Sequence, residues 1–423
     1  MLENLWHTEK ENIEKKSVFW NMMSSGLNSV VSMFLLWIVT LINGVSDAGV
    51  FSLAFSTSQM MLTIGNYGMR NYQATDIRNK YTMGIYLSSR ILTNVVMMCA
   101  VGIFVMAEGY YFEKACITIL LCFLKVTDAM DDVYGGYYQQ NGRLDIAGKM
   151  MTIRIAGYVI AFCISLVITH NMILSCCIAT IISGISLIML VGSAKSVFVL
   201  ERPILEWKKI VGLLKECLPL CISAFLLIYM GNAPKYAIDT YMTSREQAFY
   251  TYLFMPCFVT NLFVGFALQP LLVRLSENWV KKQYSNFLKL CALIFAVAVA
   301  IAFFIVLVGG WLGCPILSIV FGVALQKYRN VLIVLLIGGA FFAFAVIEQV
   351  ILTVMRKQVF LLAGFVVASI TAFVISNPLV KKWGLMGAGY AYSLSAGVLF
   401  GVLGVLIIIF FIKEKGASCI IQI

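Results

Sequence analysis

The sequence predicts an all-α integral membrane protein with about twelve transmembrane helices. Sixty-one percent of its 423 residues are hydrophobic and only 12% are charged, whereas a soluble domain carries about twice that charged fraction. The charged residues separate hydrophobic runs of about 20 residues, the length that crosses the hydrocarbon core of a bilayer. Because lipid offers no partner for backbone polar groups, runs of this length must be helical.

The predicted spans follow one another with short gaps. The fifth span is short for a crossing, and the fourth is interrupted by charged residues. A further piece, Gly310 to Phe321, is too short for a separate span and is interpreted as a re-entrant or interfacial segment. The spans lie near residues 17–42, 48–68, 82–107, 115–138, 153–169, 173–196, 210–230, 247–272, 287–309, 331–355, 359–377 and 384–412.

Lysine and arginine residues are concentrated in alternate gaps between the spans. With the N-terminus in the cytoplasm, roughly 22 basic residues fall in cytoplasmic segments and roughly 7 in external ones, which satisfies the positive-inside rule. Both termini are therefore predicted to be cytoplasmic. Basic loops beside anionic headgroups account for the formal net charge of +11, so we expect no nucleic-acid partner.

The two halves of the chain show a loose internal correspondence at an offset of roughly 200 residues. Asp47 precedes the second span as Glu246 precedes the eighth, and Arg70 follows the second span as Arg274 follows the eighth. Six spans in each half permit a parallel repeat with its axis along the membrane normal. Identity at these positions is low, so chance similarity is the alternative.

The repeat predicts two six-helix lobes, residues 1–200 and 201–423, around a central cavity that opens alternately to each side. The boundary is expected in the basic segment around Arg202 and Pro203, because proline and the residue before it disfavour helix. No gap between spans is long enough for a folded domain, and no phosphate-binding loop motif is present. Energy for transport would come from a gradient, and no cofactor is expected.

The fourth span carries four ionisable residues on about one third of the helix circumference. These are Lys125, Asp128, Asp131 and Asp132, and their cost in lipid predicts that this face is turned toward protein or a water-filled cavity. In the functional interpretation, Lys125 meets an anionic substrate group and Asp128 takes part in ion coupling. The alternative is a structural pair between Lys125 and Asp128. For Asp131 and Asp132 we favour a position at the inner headgroups.

Two more embedded ionisable residues are candidates for function. Arg90 lies near the inner end of the third span, where its side chain could extend to the headgroups or bind a ligand. Glu348 lies deeper in the tenth span and could pair with a base on a neighbouring helix or carry a proton. The two histidines and twelve cysteines lack ligand spacing, so no metal site is predicted.

Helix breakers and small polar residues are unevenly distributed. Pro234, Pro256, Pro270 and Pro378 predict interruptions of helices in the second half. Small polar residues line the first span over residues 24–29, which permits close helix contact. Both features suit lobes that move against each other.

Three stretches of the first half carry a resemblance to a known family: Lys15 to Asn28, Asp47 to Ala54, and Asn66 to Arg70. They are similar to the polysaccharide-biosynthesis flippases of the O-antigen type. These flippases belong to the multidrug/oligosaccharidyl-lipid/polysaccharide (MOP) exporter superfamily, which also contains the multidrug and toxin extrusion (MATE) transporters and the lipid II flippase. The similarity covers the whole chain in length and span number, with no short diagnostic signature.

The resemblance implies a MATE-like fold and a flippase for an undecaprenyl-pyrophosphate-linked oligosaccharide in the bacterial cytoplasmic membrane. The polysaccharide would be a lipopolysaccharide or a capsule, with a polymerase and glycosyltransferases as partners and the flippase itself a monomer. The implied cavity is cationic, with Arg70, Arg90, Lys125 and Arg274 as candidate bases. The first span has no basic residue between 17 and 42, which departs from the lipid II flippases.

The same features bear on three other functions. A drug or metabolite exporter of the same superfamily would favour acidic or aromatic cavity residues. A membrane glycosyltransferase or polysaccharide polymerase should show a long catalytic outer loop, and the short outer gaps argue against it. A scaffold would not need the polar face of the fourth span.

Overall fold

The computed structural model describes residues 6, 12–76, 80–198, 201–268 and 271–420, and contacts divide the chain into the units Met1–Phe225 and Leu226–Ile423. Each unit is built from long helices. The first contains α1 (Ile13–Asn43), α2 (Val45–Asn66), α3 (Met69–Thr75), α4 (Met83–Ala107), α5 (Phe112–Gln140), α6 (Leu144–Thr169), α7 (Met172–Ala194) and the start of α8 (Trp207–Tyr241). The second contains the end of α8, then α9 (Ser244–Phe254), α10 (Cys257–Leu268), α11 (Leu272–Val280), α12 (Tyr284–Val308), α13 (Cys314–Phe321), α14 (Arg329–Val354) and α15 (Leu361–Ile420).

The number of long helices agrees with the predicted spans. Nine helical stretches in the described part of the chain are long and apolar enough to cross a membrane. The helices α2 and α5, of 22 and 29 residues, are also long enough to cross, and α15 is two helices joined at Gly384. About twelve crossings result, so the prediction of an all-α, multi-pass membrane protein is confirmed.

In the first unit, α5 is the central helix and packs against α2, α3, α4, α6 and α7. Among the described residues of this unit, the most extensive helix pairing is between α1 and α6. It is close because of Gly148, where an added Cβ would lie 2.6 Å from the carbonyl carbon of Trp20. Small residues allow two helix backbones to approach in this way.

The junction between α2 and α3 sets the direction of Arg70. Tyr67 ends α2 in the left-handed region (φ 50°), and Gly68 follows in the same region (φ 69°). A residue in this conformation commonly terminates a helix. The chain therefore turns before α3, which carries Arg70 back against α5.

The division between the units by contacts falls within α8, after Phe225, and the predicted lobe boundary of 200/201 lies before this helix. Residues 201–204 and the first half of α8 pack on the start of α4. The Glu201 carboxylate accepts a hydrogen bond from the Gly84 amide at 2.8 Å, and Gly84 accepts one from Ile204 at 3.1 Å. Leu213 and its neighbours on α8 join the apolar cluster around Tyr86. A change in sequence composition does not reveal this packing.

The first half of α8 is also held by polar contacts. Lys80, in the loop before α4, donates to Glu216 at 2.5 Å, and Tyr81 donates to the same carboxylate at 3.4 Å. The hydrogen bond to Glu216 raises the pKa of Lys80 and raises the pKa of Tyr72 to about 12. These contacts fix the loop against α8.

In the second unit, α14 is central and packs against α9, α10, α11, α12 and α15. One apolar cluster joins α10, α12 and α14 around Phe287 and Ile347. A second joins α14 and α15 around Leu352 and Leu399. Thr243 and Glu246 form a capping box at the start of α9, which satisfies two amides that would otherwise lack partners.

The predicted helix breaks occur at some positions only. Pro256 lies between α9 and α10, but α8 continues through Pro234 and α15 through Pro378. Pro270 lies outside the described residues. The break in α15 occurs at Gly384, whose φ of 56° and ψ of −134° are not helical.

The short segment predicted to be re-entrant continues the preceding helix. A π-helical turn, Gly309–Gly313, joins α12 directly to α13, so that one helical stretch runs from residue 284 to 321. Glycines allow the wider turn.

The proposed repeat has a counterpart in the order of elements. Asp47 and Glu246 lie in the first turns of α2 and α9. Arg70 and Arg274 lie on the short helices α3 and α11, each followed by a long helix. The order of helices is therefore similar in the two halves. The long helix α2, the short α3 and the long α4 correspond to the stretch of α9 and α10, the short α11 and the long α12.

Candidate functional site

The charged face of α5 is neutralised by bases from α3, α4 and α6. Its three aspartates form ion pairs with Lys125 on the same helix and with three arginines on neighbouring helices. These residues are named together the α5 ion network: Lys125, Asp128, Asp131, Asp132, Arg70, Arg90 and Arg154.

Arg154 on α6 pairs with two of the three aspartates of this network. Its guanidinium lies 2.6 Å from Asp128 Oδ1 and 3.0 Å from Asp131 Oδ2, and it donates to Ser183 Oγ on α7 at 3.0 Å. Lys125 Nζ contacts the other oxygen of Asp128 at 2.8 Å. The side chains of Arg154 and Lys125 are each only 1% exposed, so these contacts are shielded from solvent.

Asp132, the third aspartate of the network, contacts two arginines. Its Oδ2 accepts from Arg90 Nη2 at 2.8 Å, and its Oδ1 accepts from Arg70 Nη1 at 3.2 Å. Arg90 also donates to the Gly65 carbonyl at 2.7 Å and to Asn66 Oδ1 at 3.2 Å. The Arg90 side chain is 0% exposed, whereas that of Arg70 is 32% exposed.

The network has four bases and three acids, which leaves a formal excess of one positive charge. Removing ions from water costs several kcal/mol each, and only close pairing offsets this cost. The least buried base, Arg70, is the one that can offer its charge to a ligand.

A cavity of about 420 Å³ lies within the first unit and is bordered by this network. The helices α1, α2, α3, α5 and α6 supply its wall, and none of the described residues that line it is aromatic. The wall consists of Asn21, Ser24, Ser25, Asn28, Ser29, Gln59, Leu62, Asn66, Arg70, Asp128, Asp131, Asp132, Gly135, Ala147, Gly148, Met151 and Arg154.

Carboxamides and hydroxyls form the side of the cavity opposite α5. The small polar residues of α1, noted in the sequence for close packing, line this wall. The side chains of Asn21, Asn28 and Gln59 have no hydrogen-bond partner among the described residues, although each amide has two donors and an acceptor. Polar groups that line a cavity without partners are available to a polar ligand.

The candidate residues from the sequence occupy different environments. Arg70 and Asp128 line the cavity. Arg90 and Lys125 are buried and do not line the cavity. The burial of Arg90 disagrees with the interpretation in which its side chain extends to the headgroups. Arg274 is exposed on α11 in the second unit.

For Asp131 and Asp132, the position at the inner headgroups stays a prediction, and the structure adds their surroundings. Both line the cavity and pair with arginines. Three arginine side chains converge on this part of α5 from three other helices, α3, α4 and α6, which the sequence of α5 alone does not reveal. The alternative of a Lys125–Asp128 pair is present as predicted.

Glu348 on α14 has no basic partner among the described residues. Its side chain is buried (3% exposed), and its Oε2 has no hydrogen-bond partner. Gly404 lies close to the other carboxylate oxygen, because a Cβ added at Gly404 would lie 2.8 Å from Glu348 Oε1. A buried carboxylate in this state favours binding a proton or a cation.

Arg154 was not identified from the sequence as a site residue. The predicted fifth span, 153–169, places Arg154 at its very start. The helix α6 instead starts at Leu144, which places Arg154 about three turns inside it. The short length of the predicted span was a signal that the helix had to begin earlier.

Solved structures with the same fold cover nearly the whole chain. The lipid II flippase MurJ in an inward closed conformation matches 95% of this chain and 91% of its own, with a TM-score of 0.72 and 13% identity. An inward-facing multidrug resistance MATE family transporter of the MOP superfamily matches 93% and 96%, with a TM-score of 0.68 and 13% identity. The chain has the fold of MOP superfamily transporters.

A third MOP superfamily transporter, from Pyrococcus furiosus, matches 98% of both chains with a TM-score of 0.62 and 12% identity. Its description reports a reversed polarity of the binding pocket. No protein-family model and no curated protein matches the sequence. At these identities, the similarity to MOP transporters is one of fold.

Replacing Arg154 tests whether the ion network stabilises the first unit. Arg154→Gln leaves buried Asp131 without its base and Asp128 with Lys125 alone, so the free energy of unfolding should fall by roughly 3–5 kcal/mol. Lys209→Gln is the control, because Lys209 forms an exposed pair with Glu206 worth at most about 1 kcal/mol. Denaturant unfolding in mixed micelles measures both. Equal stability of Arg154→Gln and wild type would contradict a stabilising network.

Proposed function

We propose that the protein is a flippase that moves an undecaprenyl-pyrophosphate-linked oligosaccharide across the bacterial cytoplasmic membrane by alternating access. The observation that carries this proposal is the composition of the cavity wall in the first unit. It combines a half-buried guanidinium, Arg70, with carboxamides at Asn21, Asn28 and Gln59 that have no partner in the described part of the chain. The fold, shared with MOP transporters that include a lipid II flippase, supports it.

The two kinds of group on the wall correspond to two parts of such a substrate. A guanidinium is suited to phosphate, which it can bind through two parallel hydrogen bonds. Carboxamides and hydroxyls both donate and accept hydrogen bonds, as sugar hydroxyls do. The polyprenyl tail needs no protein site because it is as apolar as the lipid around it.

Among the four candidate bases, Arg70 is the best placed for the pyrophosphate. Lys125 and Arg90 are buried and serve to neutralise aspartates. Arg274 is exposed and lies in the other unit, and it stays a candidate through its correspondence to Arg70 along the chain. This ranking follows from burial and pairing.

A second candidate function is the export of a drug or metabolite. The three aspartates that line the cavity favour it, since carboxylates attract organic cations. Each of these aspartates is already bonded to an arginine, and the described wall has no aromatic residue on which a flat cation could stack. These two features favour the oligosaccharide.

We also propose that transport is coupled to an ion gradient through Glu348. Of the two candidate carboxylates, Asp128 is held by Lys125 and Arg154. Glu348 has no base near it among the described residues. Taking up a proton or a sodium ion would remove the cost of its buried charge.

The flippase is expected to lie in the cytoplasmic membrane with both termini in the cytoplasm and to act as a monomer. A polysaccharide polymerase and glycosyltransferases are its expected partners. The basic residues of the loops support this orientation.

Replacing Arg70 tests the proposed function. Arg70→Gln should reduce flipping of a fluorescent lipid-linked oligosaccharide in proteoliposomes by roughly 10- to 100-fold, the effect of one lost charged hydrogen bond. Arg70→Lys should retain part of the activity because the charge is kept. Lys195→Gln, at an exposed position beyond α7, is the control. Undiminished flipping by a folded Arg70→Gln variant would contradict the proposal, and efflux of organic cations without flipping would favour the exporter.

Replacing Glu348 tests ion coupling. Wild-type flipping should change when a proton or sodium gradient is imposed on the proteoliposomes, and flipping by Glu348→Gln should ignore the gradient because the amide cannot exchange the ion. Glu277→Gln, at an exposed residue of α11, should respond as wild type does. A gradient response that persists in Glu348→Gln would exclude Glu348 as the coupling residue.

A further inference from the structure

Asp132 is placed where an incoming phosphate would have to bind. Its carboxylate occupies the only hydrogen bond that Arg70 makes among the described residues, and both residues line the cavity. The Arg70 guanidinium lies against Gly135, 3.5 Å from the position of an added Cβ. Because residue 135 has no side chain, it does not cover the Arg70 guanidinium. An arginine has five N–H donors, and those of Arg70 that do not contact Asp132 are available beside the cavity.

The two arginine contacts of Asp132 are unequal. The contact with Arg90 is short, at 2.8 Å, and buried, and Arg90 is anchored further by Gly65 and Asn66. The contact with Arg70 is longer, at 3.2 Å, and partly exposed. Shorter, better shielded ion pairs are the stronger ones. The Arg70 contact is therefore the one that breaks when a ligand arrives.

We propose that Asp132 is an internal competitor that occupies Arg70 until a phosphate group displaces it. After displacement, Asp132 keeps Arg90 as its counter-ion, so no buried carboxylate is left unpaired. Arg70 gains a phosphate oxygen in place of the carboxylate oxygen. When the phosphate leaves, Asp132 returns to Arg70 and restores the empty site.

This exchange rests on the proposed function and adds a consequence to it. A permanently free Arg70 would hold a phosphate tightly and release it slowly. A built-in carboxylate lowers the affinity and opens a route for release, as a transporter requires. Asp132 would thus set the affinity for the phosphate group without contacting it.

Titration of the full-length protein in detergent with inorganic pyrophosphate tests the proposal by calorimetry. Asp132→Asn should bind pyrophosphate about tenfold more tightly than wild type, a change of about 1.4 kcal/mol. The gain should vanish when Arg70→Gln is added. Asp145→Asn is the matched control, because Asp145 is also buried between two bases, Arg143 and Lys149, but does not line the cavity. It should leave the affinity unchanged.

Several results would overturn the proposal. They are equal or weaker binding by a folded Asp132→Asn variant, a gain that persists with Arg70→Gln, and no saturable binding by either wild type or the variant. If Asp132→Asn does not fold because Arg90 is left unpaired, the double variant Asp132→Asn with Arg90→Gln removes both buried charges and should show the same tighter binding. Wild-type protein that fails to flip the lipid-linked oligosaccharide while pyrophosphate binding behaves as expected would refute the proposed function and leave this inference intact.

Discussion

The neutralisation of three aspartates on α5 is the constraint on which the first unit depends. An ionised carboxylate in apolar surroundings costs several kcal/mol unless a base meets it at close range. Lys125 on the same helix reaches only Asp128. The other bases must therefore come from α3, α4 and α6, and the positions of these helices around α5 are tied to the ion pairs.

The same pairs determine what the cavity can bind. The fully buried arginines hold the aspartates, and with them the helices, in place around the cavity. Arg70 keeps N–H donors on the cavity side. The small and polar residues of α1 provide the facing wall, brought close to α6 by Gly148. The second unit differs, since Glu348 is buried without a base among the described residues. In the proposed function, charge recognition by Arg70 and ion coupling by Glu348 would therefore lie in different units.

The sequence predicted the helical spans and the polar face of α5 because hydropathy and helical spacing act along one chain. It did not reveal which bases meet that face, because Arg154 and Asp131 are 23 residues apart in sequence and come together only when α6 packs on α5. The start of α6 was misplaced because the segment from Leu144 is polar and still helical. The break in α15 was predicted at Pro378 but occurs at Gly384. A proline can remain within a helix, whereas glycine readily adopts the positive φ that ends one.

Photo-crosslinking tests the central claim most directly, namely that the cavity bordered by the α5 ion network receives the sugar headgroup. Benzoylphenylalanine is introduced at Asn28, on the cavity wall, or at Ile164, an exposed apolar residue of α6. Irradiation with a radiolabelled lipid-linked oligosaccharide should attach the glycan at position 28, at least tenfold above position 164, where only the lipid tail has access. Equal labelling at both positions, or none at position 28, would contradict the account.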